Sequence, residues 1–255
     1  MTTLVAKLTG RALDKLMPIE EASDYGSKRD GKDHVQDMEG RKEKHYEEEL
    51  QTLRSLVGRL QKENDELQVE LKWRKTHKYA DDITLDAGTA HPNLSISGDK
   101  KFTHEAQPQN VPSTPERFDS TVCVLGSEGF SSGKHYWEVE VVSSNDWDLG
   151  VARESIQRKG KLSLSPKERF WALGFSGRDY WAKTDPWTRV EVQKKPKKIG
   201  VYLSYQDNQV TFFNVTDMSV LFTFNDCSFS GEVYPFFKNS QKETSMRICS
   251  IREDE

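Results

Sequence analysis

The chain has 255 residues, of which 35% are hydrophobic and 31% are charged, and its formal net charge is −4. This length allows one large domain or two small ones, and the low hydrophobic content indicates that part of the chain lies outside a core. The slightly acidic balance argues against a nucleic-acid surface, and three widely spaced cysteines argue against a zinc site or a disulfide framework.

The N-terminal part of the chain is polar. It lacks the apolar stretch that a signal peptide or a membrane-spanning helix requires, so the chain is expected to be soluble and cytoplasmic, with no membrane span. Residues 20–49 carry almost no apolar side chains and cannot offset the entropy lost on ordering. We therefore predict that residues 1–42 form a flexible N-terminal segment.

A heptad repeat follows this segment. Its spacings of three and four predict a coiled coil over residues 43–78, whose seam must be covered by another helix. The seam consists of Leu50, Leu53, Val57, Leu60, Asn64, Leu67 and Leu71. Because Asn64 can pair with its symmetry mate in a parallel two-stranded coil, these residues predict a parallel homodimer. The alternative is an amphipathic helix packed on its own downstream domain.

After the coiled coil the hydrophobic period changes to two. In residues 134–142, apolar side chains such as Trp137 alternate with Tyr136 and Glu138, which predicts a strand with one buried and one wet face. Similar short runs recur along the chain and are separated by turn signals. This pattern predicts a mainly β fold, an antiparallel two-sheet β-sandwich preceded by the coiled-coil helix. Trp137 and Trp171 are expected in its core.

Several motifs in this region resemble, in order, those of B30.2 domains. They are LDAGTAHPNL (85–94), ERFD (116–119), SSGKHYWEVEV (131–141), DWDLGVA (146–152), FFNV (212–215) and YPFF (234–237). Residues 81–252 thus resemble the B30.2 domain of tripartite-motif proteins and butyrophilins, with PRY over about 81–130 and SPRY over about 131–252. The resemblance implies a bent two-layer β-sandwich whose loops at one end bind a partner. Ala87 departs from the family, which has proline in this LDP motif.

The resemblance also implies a function. It indicates a non-enzymatic module that binds a protein partner of unknown identity and acts in innate immune regulation. Two alternatives remain: the substrate-recognition part of a tripartite-motif ubiquitin ligase without its RING, and the intracellular sensor region of a butyrophilin-like receptor. The histidines are scattered, no GxSxG motif occurs, and Cys123 lies in an alternating strand. No catalytic residue, metal site or cofactor is therefore predicted.

A phosphorylated small ligand is not expected, although the resemblance raises it. Some butyrophilins neutralise such a ligand in a basic pocket. In the matching stretches Asp148 stands in place of a histidine and Trp181 in place of an arginine, while Arg158, Lys159 and Arg189 remain available. An acid beside a phosphate is repulsive, and a pyrophosphate needs three or four cations to compete with water.

The segment over residues 176–190 is predicted to be a long loop that binds the protein partner, because it concentrates the residue types of interface hot spots. The predicted contact residues are Trp147, Arg178, Tyr180, Trp181, Trp187 and Arg189. For Trp181 and Trp187 the sequence leaves open whether they instead plug the end of the sandwich. The lysines at 194, 195, 197 and 198 are interpreted as a solvated turn before a strand.

Overall fold

The structure, a computed structural model, describes the backbone of residues 29–250 and the side chains of residues 40–250. Residues 1–28 of the predicted flexible segment lie outside these described residues. A helix, α1, spans Arg29–His77, so it begins earlier than the coiled coil predicted at residue 43. A run rich in Glu, Lys and Arg, residues 39–49, favours helix even where no apolar face exists.

The heptad residues of α1 are exposed in the single chain. Leu53 is 55% exposed and Leu67 is 62% exposed, and the remaining apolar seam residues resemble them. Asn64 is exposed as well. A helix with an apolar stripe that its own chain leaves in solvent is compatible with a coiled coil.

The chain divides into two compact units between Gln61 and Lys62. The first unit contains the earlier part of α1. The second contains the end of α1 together with all the strands. This boundary falls inside the helix.

Within the described residues, thirteen strands, numbered in chain order, form two antiparallel sheets. The seven-stranded sheet has the order β1 (Leu94–Ile96), β2 (Lys101–His104), β13 (Ser245–Cys249), β4 (Lys134–Glu140), β9 (Lys198–Ser204), β10 (Gln209–Asn214) and β11 (Ser219–Phe224). The six-stranded sheet has the order β3 (Cys123–Leu125), β12 (Val233–Asn239), β5 (Asp146–Arg153), β6 (Phe170–Ser176), β7 (Asp179–Ala182) and β8 (Thr188–Val190). A short 3-10 helix, Pro166–Glu168, precedes β6. The predicted mainly β fold with two antiparallel sheets is confirmed.

The main core contains the inward side chains of both sheets. Trp137 on β4 and Trp171 on β6 are buried in it, as the sequence predicted. Phe212 on β10 and Phe237 on β12 are fully buried in the same cluster. Aromatic side chains of this size each remove a large apolar area from water, and that burial stabilises the sandwich.

The outer face of β4 is buried as well, so the prediction of a wet face is wrong here. Tyr136 and Glu138 lie beneath the end of α1. The ring of His77 lies 5.5 Å from that of Tyr136, and His77 Nε2 lies 3.6 Å from Glu138 Oε1. The Tyr136 hydroxyl donates to Glu138 Oε1 at 3.0 Å. The helix end therefore supplies the cover that alternation along β4 alone could not reveal.

A second histidine, His135, pairs with Asp81 and so joins β4 to the segment after α1. His135 Nδ1 lies 3.1 Å from Asp81 Oδ2, and His135 Nε2 lies 2.7 Å from the carbonyl oxygen of Ser132. Both acceptors are satisfied together only when both ring nitrogens carry a proton. Burial lowers the pKa of His135, but the hydrogen bonds to Asp81 and Ser132 outweigh burial and raise the pKa above its ordinary value.

Candidate functional site

The predicted partner-binding segment lies at one edge of the six-stranded sheet. Residues 176–190 are not a long loop, as predicted, but contain two short antiparallel strands, β7 and β8. A tight turn joins β6 to β7, with Gly177 at a φ of +67° that favours glycine. Side chains in this segment therefore alternate between the core and the outer face of the sheet.

Two of the predicted contact residues point into the core. Trp147 is 1% exposed and Tyr180 is 8% exposed, and their ring centroids lie 6.2 Å apart. Tyr180 also packs against Phe175 on β6, with ring centroids 4.6 Å apart. The prediction that Trp147 and Tyr180 contact a partner is therefore wrong, because both are already buried by neighbouring strands.

The other predicted contact residues reach solvent. Trp181 on β7 is partly exposed and lies opposite Arg189 on β8. Arg189 Nη2 donates to Asp179 Oδ1 at 2.6 Å while most of its side chain stays exposed. Arg178 is exposed in the turn before β7. We call Arg178, Trp181, Trp187 and Arg189 the Trp187 surface.

Trp187 is both anchored and exposed. It is 53% exposed, yet its Nε1 donates to the carbonyl oxygen of Leu164 at 3.3 Å. The Lys183 ammonium lies 3.3 Å from the centroid of its ring, a cation–π contact. Trp187 thus covers Lys183 with one face and leaves about half of its surface to solvent.

A buried charge cluster supports this surface. Asp148 on β5 lies between Lys183, whose Nζ is 3.1 Å from Oδ1, and Lys238 on β12, whose Nζ donates to Oδ2 at 2.6 Å. The contact with Lys183 is ionic only, since its angles do not meet hydrogen-bond geometry and Oδ1 has no hydrogen-bond partner in the described part of the chain. Gly174 lies opposite Asp148 on β6, where a Cβ would overlap the carboxylate. Two lysines therefore compensate the charge of Asp148, which the sequence alone predicts to be an uncompensated, repulsive acid.

Sequence reasoning missed Lys183 and Lys238. Each is far from Asp148 along the chain, and only the register of the strands brings the three together. No local spacing signals such a cluster. A buried carboxylate requires compensation, however, so the burial of Asp148 on β5 is the one feature that could have prompted a search for its partners.

Two cations considered for a phosphate pocket hold loops instead. Arg158 donates to the carbonyl oxygens of Glu116 and Glu154 at 3.3 and 3.1 Å. Lys159 Nζ donates to the carbonyl oxygens of Thr114 and Arg117, both at 2.6 Å. Burial lowers the pKa of Arg158 from its ordinary value. Their donors are thus engaged with backbone acceptors.

The lysine cluster before β9 is only partly a solvated turn. Lys194, Lys195 and Lys197 are exposed. Lys198 begins β9, and its Nζ lies 3.6 Å from the buried carboxylate of Glu138. The prediction is therefore wrong for Lys198, which pairs with an acid that the helix end also contacts.

The described residues were also compared with what a metal site, a reactive thiol and a membrane-spanning helix require. Over residues 29–250 no group of three or more His, Cys, Asp and Glu is arranged to hold a metal ion. Burial raises the pKa of the Cys123 thiol well above its ordinary value, which disfavours the reactive thiolate. None of the helices in this part of the chain is long and apolar enough to cross a membrane.

Comparison with known families assigns most of the chain. Residues 134–251 match the SPRY domain family, and residues 83–130 match the SPRY-associated domain, PRY. Butyrophilin subfamily 1 member A1 of Bos taurus is 44% identical over 174 residues, which are 68% of this chain and 33% of that protein. The Homo sapiens protein of the same name is 42% identical over 72% of this chain and 35% of its own length. The chain therefore spans about a third of the length of these curated relatives.

Solved structures show the same fold. The TRIM65 PSpry domain matches with a TM-score of 0.62 and 22% identity, covering 70% of this chain and 94% of that one. Stonustoxin matches with a TM-score of 0.59 and 31% identity, covering 67% of this chain and 29% of the toxin chain. Both likenesses cover about two thirds of this chain, the share that the sandwich occupies.

Proposed function

Because the chain belongs to the B30.2 (PRY–SPRY) family of the butyrophilin and tripartite-motif type, whose domains are binding modules, we propose that it binds a protein partner through the Trp187 surface and catalyses no reaction. The partner chemistry that suits this surface is a protein segment able to cover an indole and to accept hydrogen bonds from arginine. Trp and Arg are the residue types that dominate binding energy at protein interfaces.

The observation that carries this proposal is the state of Trp187. Its hydrogen bond to Leu164 and its contact with Lys183 fix the ring, so little side-chain entropy is left to lose on binding. About half of the ring nevertheless remains in water, available to be covered by a partner. A rigid, half-exposed tryptophan is the typical centre of a hot spot.

We also propose that α1 pairs two copies of the chain in parallel. The exposed apolar seam from Leu50 to Leu71 supports this proposal, and Asn64 would be satisfied by its counterpart in the second copy. Two linked recognition surfaces raise the apparent affinity for a multivalent partner through effective concentration. Light scattering on a dimer would give about twice the 29.3 kDa mass of the chain. A monomer at micromolar concentration would overturn this part of the proposal.

The cellular role of the chain is proposed from its sequence similarity to butyrophilins. Identity of 42–44% to butyrophilins, over 68–72% of the chain, supports a butyrophilin-like role, and the recognition part of a ubiquitin ligase is the alternative. We propose that the B30.2 domain acts in the cytoplasm, in innate immune regulation, as the family resemblance implies.

The test compares binding by matched variants. Partners captured by the wild-type chain are identified by mass spectrometry, and the affinity of each is then measured by calorimetry. Trp187→Ala should weaken binding about thirtyfold, near 2 kcal/mol, because truncation of a hot-spot tryptophan has this effect. Lys194→Gln, an exposed change at another position, is the control and should bind normally. Normal binding by Trp187→Ala together with loss in Lys194→Gln would place recognition elsewhere.

A further inference from the structure

The last strand of the seven-stranded sheet, β11, forms a long edge. Four strands end the two sheets, namely β1, β3, β8 and β11. The first three are three residues long, whereas β11 has six, Ser219–Phe224. A strand edge carries unpaired N–H and C=O groups, and folded proteins protect it by shortness, by charge or by a covering segment. Shortness therefore protects the other three edges but not β11.

The three short edges have further protection. On β3, the carbonyl oxygen of Cys123 accepts a hydrogen bond from the backbone N–H of His91 at 3.1 Å. On β1, the carbonyl oxygen of Leu94 accepts one from Gln109 Nε2 at 2.9 Å. The edge of β8 carries the charge of Arg189. Two of these edges are thus covered by the chain itself, and the third is charged.

Between its two ends, β11 has none of these protections. Its sequence, SVLFTF, contains no charged residue and no proline. At the ends, Ser219 N donates to Asp217 Oδ1 at 3.1 Å, and Cys227 Sγ donates to the carbonyl oxygen of Phe224 at 3.6 Å. Within the described part of the chain, no backbone group outside β10 bonds to the stretch between them. Because alternate residues of an antiparallel strand direct their backbone groups away from the neighbour, Val220–Thr223 can still pair with another strand.

A β-bulge makes a second copy of β11 a poor occupant of this edge. The register shifts between Phe212 and Phe213, so Leu221 has no partner on β10. A bulge increases the local twist and discourages flat edge-to-edge pairing of identical strands. A short extended segment of another protein can follow the twist, because it is not held in a sheet of its own. The side chain of Val220, 40% exposed, offers such a segment an apolar contact.

A groove with a volume of about 1090 Å³ lies at the start of β11. One wall is the stretch of α1 from Lys62 to Glu70, and the other contains the turn that leads into β11 at Ser219. All of its residues belong to the compact unit that begins at Lys62. Against one lysine, Lys62, the groove is lined by five acids, namely Glu63, Asp65, Glu66, Glu70 and Asp217.

Two of these acids have no partner. Glu66 and Glu70 each form an ion pair with a basic residue of α1. Glu63 and Asp65, by contrast, form neither an ion pair nor a hydrogen bond among the residues that the structure describes. A strand that pairs with β11 and continues past Ser219 reaches the groove, because Ser219 lines it. The charge that complements the groove is that of Lys or Arg.

We propose that β11 binds an extended segment of another protein as an added antiparallel strand, with basic residues at the C-terminal end of that segment held in the acidic groove. All strand pairs of this sheet are antiparallel, and antiparallel pairing is slightly the more stable. This direction places the C-terminal end of the segment beside Ser219, where the groove lies. Backbone hydrogen bonds supply affinity, and the basic residues select the segment. The site is separate from the Trp187 surface, which lies on the other sheet.

A designed peptide library tests the proposal on the full-length chain. Each peptide alternates Thr with a varied apolar residue over six positions and ends in two Lys, and a matched library ends in two Glu. Fluorescence anisotropy measures binding, and hydrogen exchange locates the peptide that binds most tightly. We expect a lysine-ended peptide to bind, to slow amide exchange in β11 and to lose affinity as salt is raised. Absence of binding in the lysine-ended library, or binding without slower exchange in β11, would overturn the proposal.

Two matched valine substitutions test the edge. Val220→Lys places a charge on β11 and should weaken peptide binding about tenfold or more, because edge strands are blocked in this way. Val142→Lys makes the same change at a valine that is 48% exposed and lies outside β11, so it should bind as the wild type does. Equal weakening in the two variants would contradict binding at the edge. Circular dichroism verifies that both remain folded, and the groove variants below decide the question if Val220→Lys does not.

A second pair of variants tests the groove. Glu63→Gln/Asp65→Asn should reduce the affinity for the lysine-ended peptide and narrow its advantage over the glutamate-ended peptide. Glu43→Gln/Glu47→Gln removes the same number of charges from the other compact unit and should change neither quantity. Equal effects of the two double variants would show that only overall charge matters and would overturn the proposed groove. Trp187→Ala should bind the peptide normally, and a loss there would place the peptide on the Trp187 surface instead.

Discussion

Replacing Asp148 by asparagine removes the negative charge that two lysines share beneath the Trp187 surface. Lys183 is 5% exposed at its side chain, whereas Lys238 is 21% exposed. Lys238 can therefore turn toward water once its partner is neutral. Lys183 cannot do so without displacing Trp187, whose ring lies 3.3 Å above its ammonium.

The expected loss of unfolding free energy in Asp148→Asn follows from this difference in burial between the two lysines. Removing one partner of a buried ion pair destabilises a protein by about 3–5 kcal/mol, because an uncompensated charge stays in the interior. Asparagine keeps the shape of the side chain and one oxygen acceptor, so we expect Asp148→Asn to lie near the lower end, about 3 kcal/mol. Removal of the second charge should recover part of this loss, so Asp148→Asn/Lys183→Met should be more stable than Asp148→Asn alone.

Urea unfolding at pH 7, followed by tryptophan fluorescence, measures these differences as shifts in the transition midpoint. Lys238→Met is the matched control, because it removes the more exposed lysine and should cost less than Asp148→Asn. A loss of under about 1 kcal/mol for Asp148→Asn, the size expected for an exposed pair, would refute the reasoning. It would mean that water reaches Lys183 despite the cover of Trp187.

Three further predictions concern the core, the histidine pair and the coil. Trp137→Ala should destabilise the sandwich by about 3–5 kcal/mol in urea unfolding, and Trp137→Phe by clearly less, since the buried indole N–H has no partner among the described residues. Because the pKa of His135 is raised, the stability it gains from Asp81 is present in full below the ordinary pKa of about 6.5 and is lost as pH rises through the folded value. The stability difference between wild type and His135→Gln should therefore shrink from pH 5 to pH 9, and a difference that grows would contradict the pairing. Asn64→Leu should raise the melting temperature and broaden the oligomer distribution in light scattering, whereas an unchanged distribution would argue against a buried Asn pair.

Alternation along strands predicts much of the fold. The wrong predictions at the site arise where turn or loop signals were given more weight than this alternation. Trp147 lies in the same alternating run as Leu149 and Val151, which face the core, so its burial follows from period two. The turn-forming residues before it, 143–146, nevertheless favour an exposed position for Trp147. Tyr180 lies in the segment predicted to be a loop, although Tyr180 and Ala182 alternate with Trp181 in the sequence itself.

Features that depend on the pairing of distant segments could not be predicted. The cover that α1 provides over Tyr136 and Glu138 requires knowledge of where the helix end lies. The register that brings Lys183 and Lys238 to Asp148 is set by three neighbouring strand pairs. Local sequence patterns carry the period of each strand but do not identify its neighbours, so the charge cluster appears only in three dimensions.

The close approach of Gly174 to Asp148 makes these two positions epistatic. A side chain at 174 would overlap the carboxylate and also crowd Lys183, so glycine is required there while residue 148 keeps a carboxylate. The order of substitutions then matters. Gly174→Ala is damaging in this background, and its cost should fall once residue 148 has been reduced to a small side chain and Lys183, which that change leaves uncompensated, has been replaced as well. Substitutions at positions 148 and 174, beneath Trp187, are thus tolerated only in certain orders. Libraries that vary both positions together should recover folded variants that single-site scanning discards.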